Sequence, residues 1–404
     1  MSKALSRIVN NGMCHGCGGC VAALPAGAAS MQMDGPGFLR PLAHRPFTQE
    51  EDATVEAVCS GEGLDQLELG RKYNDTWGPL VTVEVGHALD PDVRYQGSSG
   101  GVISAIAIHL LETNQIDFVL HTRASPNDPL GNISTPSLTR AEVLSGAGSR
   151  YAPSSPLADL DAHLNGGRTF AFIGKPCDVA SLRRMALRDP RIDRQIPVML
   201  SFFCAGVPSR SGAQAVLKEL ATSEPEVESF AFRGNGWPGL TRAVRRDGSE
   251  ATMDYNSSWG TILSRHLQFR CKICPEGVGE FADVVCADAW HGKDGYPDFT
   301  ERDGRGLVIA RTLRGRQLVE EIVRAGKIEV ADQDVSAIRM MQPYQHDRRR
   351  GVLARLLALR LKGRPAPHYR GLRLWASLLR TSPVWLLRNF GGTFRRVPIK
   401  GRIW

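Results

Sequence analysis

Residues 169–177 read TFAFIGKPC, and residues 198–204 read VMLSFFC. Each is an apolar run that passes through a loop into a cysteine. Thr169–Ile173 and Val198–Phe203 suit buried strands. Between them, Asp178 is placed to cap a helix over VASLRRMALR. Strand, helix and strand again imply an α/β core. In such a sheet the carboxyl ends of the strands form the ligand-binding edge, so Cys177 and Cys204 become candidates for one shared site.

Outward from this centre the same alternation continues. VTVEVGHA (Val81–Ala88) alternates like a strand, Val102–Leu111 is spaced like a helix buried on most sides, and Asp117–His121 reads as the next strand. Thr139 with Glu142 forms a capping-box pattern at the start of a short helix. Phe230–Gly260 looks like strands joined by loops, and Thr261–Phe269 is expected to be helical. Leu307–Arg311 predicts another strand and Arg316–Ala325 a helix. Gln342–Tyr344 is expected to end the body. The fold class is therefore α/β (mixed α+β), with a cysteine-bearing segment at 1–75, a core at 76–344, and a basic helical tail at 345–404.

The chain has 404 residues, 42% hydrophobic and 23% charged, which is ordinary globular composition. Its net charge of +8 is unevenly spread: residues 345–404 carry 15 Lys and Arg against one acid (Asp347), which leaves the body at −6. An acidic body without a basic, aromatic-interleaved stripe around its cysteines argues against nucleic acid as the partner. No apolar segment of signal-peptide type follows the N-terminal charges, and no run approaches the ~18 apolar residues of a membrane span, so a cytoplasmic protein is expected. Nine cysteines in such a chain favour metal or redox chemistry over a disulfide framework.

Cys14, Cys17 and Cys20 are spaced to wrap one corner of a cuboidal iron–sulfur cluster, with interleaved glycines allowing close backbone approach. The position where bacterial ferredoxins place a further cysteine is Leu24, so another residue must complete the set. Cys271 and Cys274 form a second pair, which Cys177 and Cys204 could complete. Zinc is the competing occupant of both sets. Cys286, in the apolar run ADVVCADAW, reads as a core residue. Gly97, Ser98, Ser99, Gly100 and Gly101 precede a helix and make an anion site or a plain tight turn. Arg150 could face a phosphate or carboxylate, or solvent. Trp237 and Trp259 sit beside glycines and could stack on a ring if exposed, or pack in the core.

CHGCGGC, GSSGGVIS, AGSRYAPS, IGKPCDVASLR, SFFCAGVPS, GNGWPG and CKICPEGVGEFADV stand in this order between residues 14 and 284. Together they resemble the coenzyme F-420 (deazaflavin) hydrogenase/dehydrogenase beta subunit family, across roughly residues 10–345. That family includes 7-hydroxymethyl chlorophyll a reductase and ferredoxin-dependent divinyl chlorophyllide 8-vinyl reductase. The resemblance implies a family N-terminal domain at 76–165 and C-terminal domain at 166–344. It implies FAD and one or two [4Fe–4S] clusters, the first on Cys14, Cys17, Cys20 and Cys59, the second on Cys177, Cys204, Cys271 and Cys274. Gly97–Gly101, Ser149, Arg150 and Tyr151 match segments expected near the flavin.

The activity implied is an oxidoreductase passing electrons between ferredoxin, or a partner redox subunit, and an organic acceptor such as a tetrapyrrole. A non-catalytic electron-transfer subunit and a zinc-stabilised binding protein are the alternatives. Tyr151, Asp288 and His291 are candidate proton donors. Leu372, Leu374, Trp375, Leu378 and Leu379 suit one face of a basic amphipathic helix, which would touch a membrane surface, dock an acidic partner, or pack on the body or a second copy.

Overall fold

The computed structural model describes residues 2–66 and 72–397. At its centre is an eight-stranded sheet: β1 (Thr82–Ala88), β2 (Phe118–Ser125), β3 (Asp128–Ser137), β4 (Phe170–Gly174), β5 (Val198–Phe202), β6 (Val284–Asp288), β7 (Gly306–Ala310) and β8 (Ile328–Asp332). The spatial order is β8-β1-β7-β6-β5-β4-β2-β3. Strands β2, β4, β5 and β6 run parallel, and antiparallel strands extend the sheet on both sides.

The parallel strands read as continuous apolar runs because both of their faces are covered. One face sends Val119, Ala171, Leu200 and Cys286 into a core shared with the helices Val102–Glu112 and Leu313–Arg324. The other sends Phe118, Phe170, Phe172, Met199 and Val285 against Val179 and Leu182 of the helix Pro176–Ala186. Cys286 thus occupies the apolar place its surroundings indicate. Val227–Ala231, Thr241–Arg245 and Glu250–Met253 form a separate three-stranded antiparallel sheet.

Several expectations need correction. The helix after β4 starts at Pro176, and Asp178 sits in its first turn, where it accepts from the Lys175 backbone N–H at 3.0 Å rather than serving as the N-cap. Residues 256–272 form π, 3-10 and α turns in succession instead of one helix. The body does not end at Gln342–Tyr344. Pro343–Arg350 is a helix whose Gln345, Arg348 and Arg349 are buried. The next helix, Val352–Leu361, buries Val352, Leu356 and Leu359 in one apolar cluster with Leu5, Ile8, Leu64 and Ile273. His368–Arg370 then pairs in parallel with Gly63–Asp65. The basic tail is thereby stitched to the N-terminal segment.

The proposed single apolar face over 372–379 divides as well: Leu372 and Leu374 are buried, while Trp375 is 70% and Leu379 84% exposed. Among the described residues, no helix is long and apolar enough to cross a membrane.

Candidate metal centres and the adjoining glycine loop

Cys14 and Cys17 lie on a loop between the helix Lys3–Asn10 and the helical turn Gly19–Ala22, and Cys20 lies in that turn. Gly16 and Gly18 adopt φ of 83° and 82°, and a Cβ on Gly18 would stand 2.7 Å from the Ala158 backbone N, so glycine is required there. Cys59 arrives from another direction, at the C-terminus of the helix Gln49–Val58, whose start Thr48 and Glu51 hold in a capping box. Cys14, Cys17 and Cys59 all act electrostatically on the Cys20 thiol, which places the four together. Leu24 is buried in the apolar cluster next to this site.

The second set is built by the sheet. Gly174 of β4 lies opposite Ser201 of β5, so Cys177 and Cys204, each three residues further on, leave the same edge side by side. Cys271 and Cys274 follow in a turn from another part of the chain. Cys177 feels the charges of Cys204 and Cys271, and Arg348 feels those of Cys204, Cys271 and Cys274.

A polar bridge joins the two sets. His15 Nε2 lies 2.7 Å from Ser60 Oγ, Ser60 Oγ donates to the Cys177 carbonyl at 2.9 Å, and Ser181 Oγ donates to Ser60 Oγ at 2.9 Å. The Cys17 thiol donates to Ser181 Oγ at 3.7 Å.

Burial raises the thiols of Cys14, Cys17, Cys20, Cys59, Cys177 and Cys204 above the ordinary cysteine range, Cys59 to about 11 and Cys204 to about 12. Such thiols are neutral and poor nucleophiles; metal binding would deprotonate them. The donor set suits iron–sulfur clusters. Each set offers cysteine sulfurs alone, and the amides of Gly19 and Val207 donate to Cys17 Sγ and Cys271 Sγ at 3.4 Å each. In addition, His15 Nδ1, Asp178 Oδ1 and Arg270 Nη1 are buried there without hydrogen-bond partners.

The glycine loop sits along the same sheet edge. Gly101 is the N-cap of Val102–Glu112 and makes no side-chain cap, so the first amides of that helix stay available to an anion. Ser98 accepts from Ser149 Oγ at 2.8 Å, and Ser99 donates to Asp288 Oδ1 at 3.0 Å. Asp288, at the end of β6, is an electrostatic hub. Both its oxygens accept from Arg233, at 2.8 and 2.6 Å, and Oδ1 also accepts from Trp237 Nε1 at 2.8 Å. So placed, Asp288 organises the loop, and both its oxygens are engaged.

Arg150 likewise turns inward, donating to Asn132 and to the carbonyls of Phe230, Pro129 and Gly131, so it ties β3 to the small sheet. Trp237 is buried and stacks on Trp290 with 4.7 Å between centroids, leaving no free face for a cofactor. Tyr151 packs on Trp259 at 4.5 Å. His291 lies on a groove of about 450 Å³ beside the loop, lined also by His87, Arg94, Arg302, Asp303 and Arg305. Arg233, Tyr255 and Trp290, which stack around one another, have no sequence motif that would single them out.

A mixed α/β sheet with cysteines and a glycine loop along its edge defines a class, the cysteine-rich α/β proteins. Within it, the chain belongs to the family described as coenzyme F420 hydrogenase/dehydrogenase, beta subunit: residues 83–160 match its N-terminal part and residues 167–336 its C-terminal part. It is 24% identical to the coenzyme F420 hydrogenase subunit beta of Methanococcus voltae, over 64% of this chain and 86% of that one. It is 22% identical to the coenzyme F420-dependent sulfite reductase of Methanocaldococcus jannaschii, over 78% of this chain and 46% of that one. It is 24% identical to the chloroplastic 7-hydroxymethyl chlorophyll a reductase of Oryza sativa subsp. japonica, over 60% and 50%.

The chain thus spans about half the length of the last two relatives. A chain of the F420-reducing [NiFe] hydrogenase complex from Methanosarcina barkeri shares the fold, with a TM-score of 0.53 at 19% identity over 73% of this chain and 96% of that one. These relatives are redox enzymes or their subunits. The second quartet lies within the matched C-terminal region, whereas the first precedes both matched regions.

Proposed function

We propose that the chain is an iron–sulfur flavoprotein oxidoreductase that links a one-electron donor, ferredoxin or a partner redox subunit, to an organic two-electron acceptor. The observation that carries this reading is the grouping of eight of the nine cysteines into two sets of four, partly or fully buried and joined by a polar bridge, with the ninth in a core strand. Cys14, Cys17, Cys20 and Cys59 would hold one [4Fe–4S] cluster; Cys177, Cys204, Cys271 and Cys274 would hold the other. The amides at Gly97–Gly101 would take the phosphates of FAD, with Ser149 and Tyr151 lining the same region. When bound, clusters and flavin supply one-electron transfer and its conversion to two-electron reduction.

The chain's own residues supply the rest. They exclude water around the thiols, and the Arg233–Asp288 pair orders the loop. For proton delivery, Tyr151 and His291 are better placed than Asp288, whose oxygens are engaged.

The acceptor proposed is a tetrapyrrole such as divinyl (proto)chlorophyllide, in keeping with the chlorophyll a reductase among the relatives. The test is to supply anaerobically prepared protein with dithionite-reduced ferredoxin and divinyl protochlorophyllide. Loss of the 8-vinyl group over many turnovers is expected. Reduction of the protein with no turnover until a second chain is added would favour the other reading, a non-catalytic beta subunit. That second reading is favoured by the hydrogenase complex that shares the fold. The exposed Trp375, Leu379, Val384 and Leu387, with Arg380 and Arg388 among them, offer an apolar, basic patch for a membrane surface or an acidic partner.

A further inference from the structure

Two arginines set the second quartet apart from the first. Arg348 is buried at 4% exposure and donates to the carbonyls of Cys274, Cys204 and Cys271 at 3.1, 2.6 and 3.0 Å. Arg270, also at 4%, donates to the carbonyls of Gly61 and Ser60 at 2.9 and 3.1 Å, and its guanidinium faces Cys177, Cys271 and Cys274. Both spend their hydrogen bonds on carbonyls rather than carboxylates, so their charges stay uncompensated by acids. The third buried cation, Lys175, is matched by Asp178 at 2.8 Å.

Around the first quartet the cations are matched by acids. Arg40 donates to the Cys14 carbonyl at 3.2 Å but pairs with Asp34 at 3.3 Å, and Glu62, which bears on Cys59, pairs with Arg7 at 2.6 Å; Asp178, already matched by Lys175, bears on Cys17 and Cys177 alike. Backbone amides point at sulfurs in both sets. Their dipoles are weaker than a full charge, and a charge acts most strongly where water is excluded. A cluster on four thiolates becomes more negative on reduction, so nearby cations favour its reduced form and carboxylates its oxidised form.

We propose that Arg348 and Arg270 are positioning residues that make the cluster held by Cys177, Cys204, Cys271 and Cys274 the more easily reduced of the two. This rests on the cluster reading above. Arg348 lies beyond the matched family regions, which end at residue 336, so the tail itself tunes the core.

The experiment is an anaerobic redox titration followed by electron paramagnetic resonance, with iron counted in parallel. Cys274→Ser identifies which signal belongs to the second quartet. In Arg348→Gln, that signal's reduction constant is expected to fall at least tenfold, about 59 mV for one electron. The other signal should stay in place, iron should be retained, and Arg348→Lys should restore the potential. An unmoved potential with full iron, or a shift in the other cluster, overturns the proposal. If Arg348→Gln releases iron, Arg348→Lys decides. Iron and potential both kept support a role of charge; loss of either overturns it. Wild-type protein without iron would instead sink the cluster reading itself.

Discussion

Cys20→Ser is expected to lower the iron content from about eight to about four per chain and to leave the flavin in place. Cys274→Ser should do the same through the other quartet, and the double variant should bind almost none. Cys286→Ala should keep all the iron, because its thiol is buried in β6 and only burial perturbs it. Iron measured with protein concentration on anaerobic preparations checks the series. This four-plus-four-plus-one division depends on Cys59 completing the first set. The helix Gln49–Val58 delivers it there, while Leu24, at the ferredoxin-like position, is packed in apolar core.

Arg349→Met is expected to destabilise the fold by about 3–5 kcal/mol, read from urea unfolding. Arg349 and Glu280 form an ion pair whose side chains are 1% and 0% exposed. Arg349 also donates to the Asp75 and Leu372 carbonyls at 2.8 and 2.6 Å, and to Tyr73 Oη at 2.8 Å. Removing the guanidinium strands a buried carboxylate and releases three segments that it ties together. Arg388→Ala, at an exposed tail position, should change stability by less than about 0.5 kcal/mol. A chain ending before residue 348 should fail to fold, since it loses Arg348, Arg349 and the helix Val352–Leu361 from the core shared with Leu5 and Ile8. A tail used only for docking would leave the truncated chain as stable as the whole.

The strands around Cys177 and Cys204 were legible because a twice-covered parallel strand must be a continuous apolar run, and both cysteines follow such runs directly. The glycine loop and its helix were legible for a similar reason: conformation and cap are local properties. Three things were not. Charge counting treats arginine as solvated, yet Arg348 and Arg349 are buried by capping carbonyls and a carboxylate far away in the chain. The Arg233–Asp288 hub joins residues 55 apart, with no spacing rule to announce it. His15, between two cysteines, belongs to no spacing pattern, although the fold places its ring nitrogen within 4.8 Å of Cys177 and Asp178.

The most direct measurement is iron, zinc and flavin per chain in wild-type protein purified without oxygen. About eight iron atoms with bound FAD, and two clusters resolved on reduction, are the expected result. Zinc in the cysteine sites with no flavin would contradict the account.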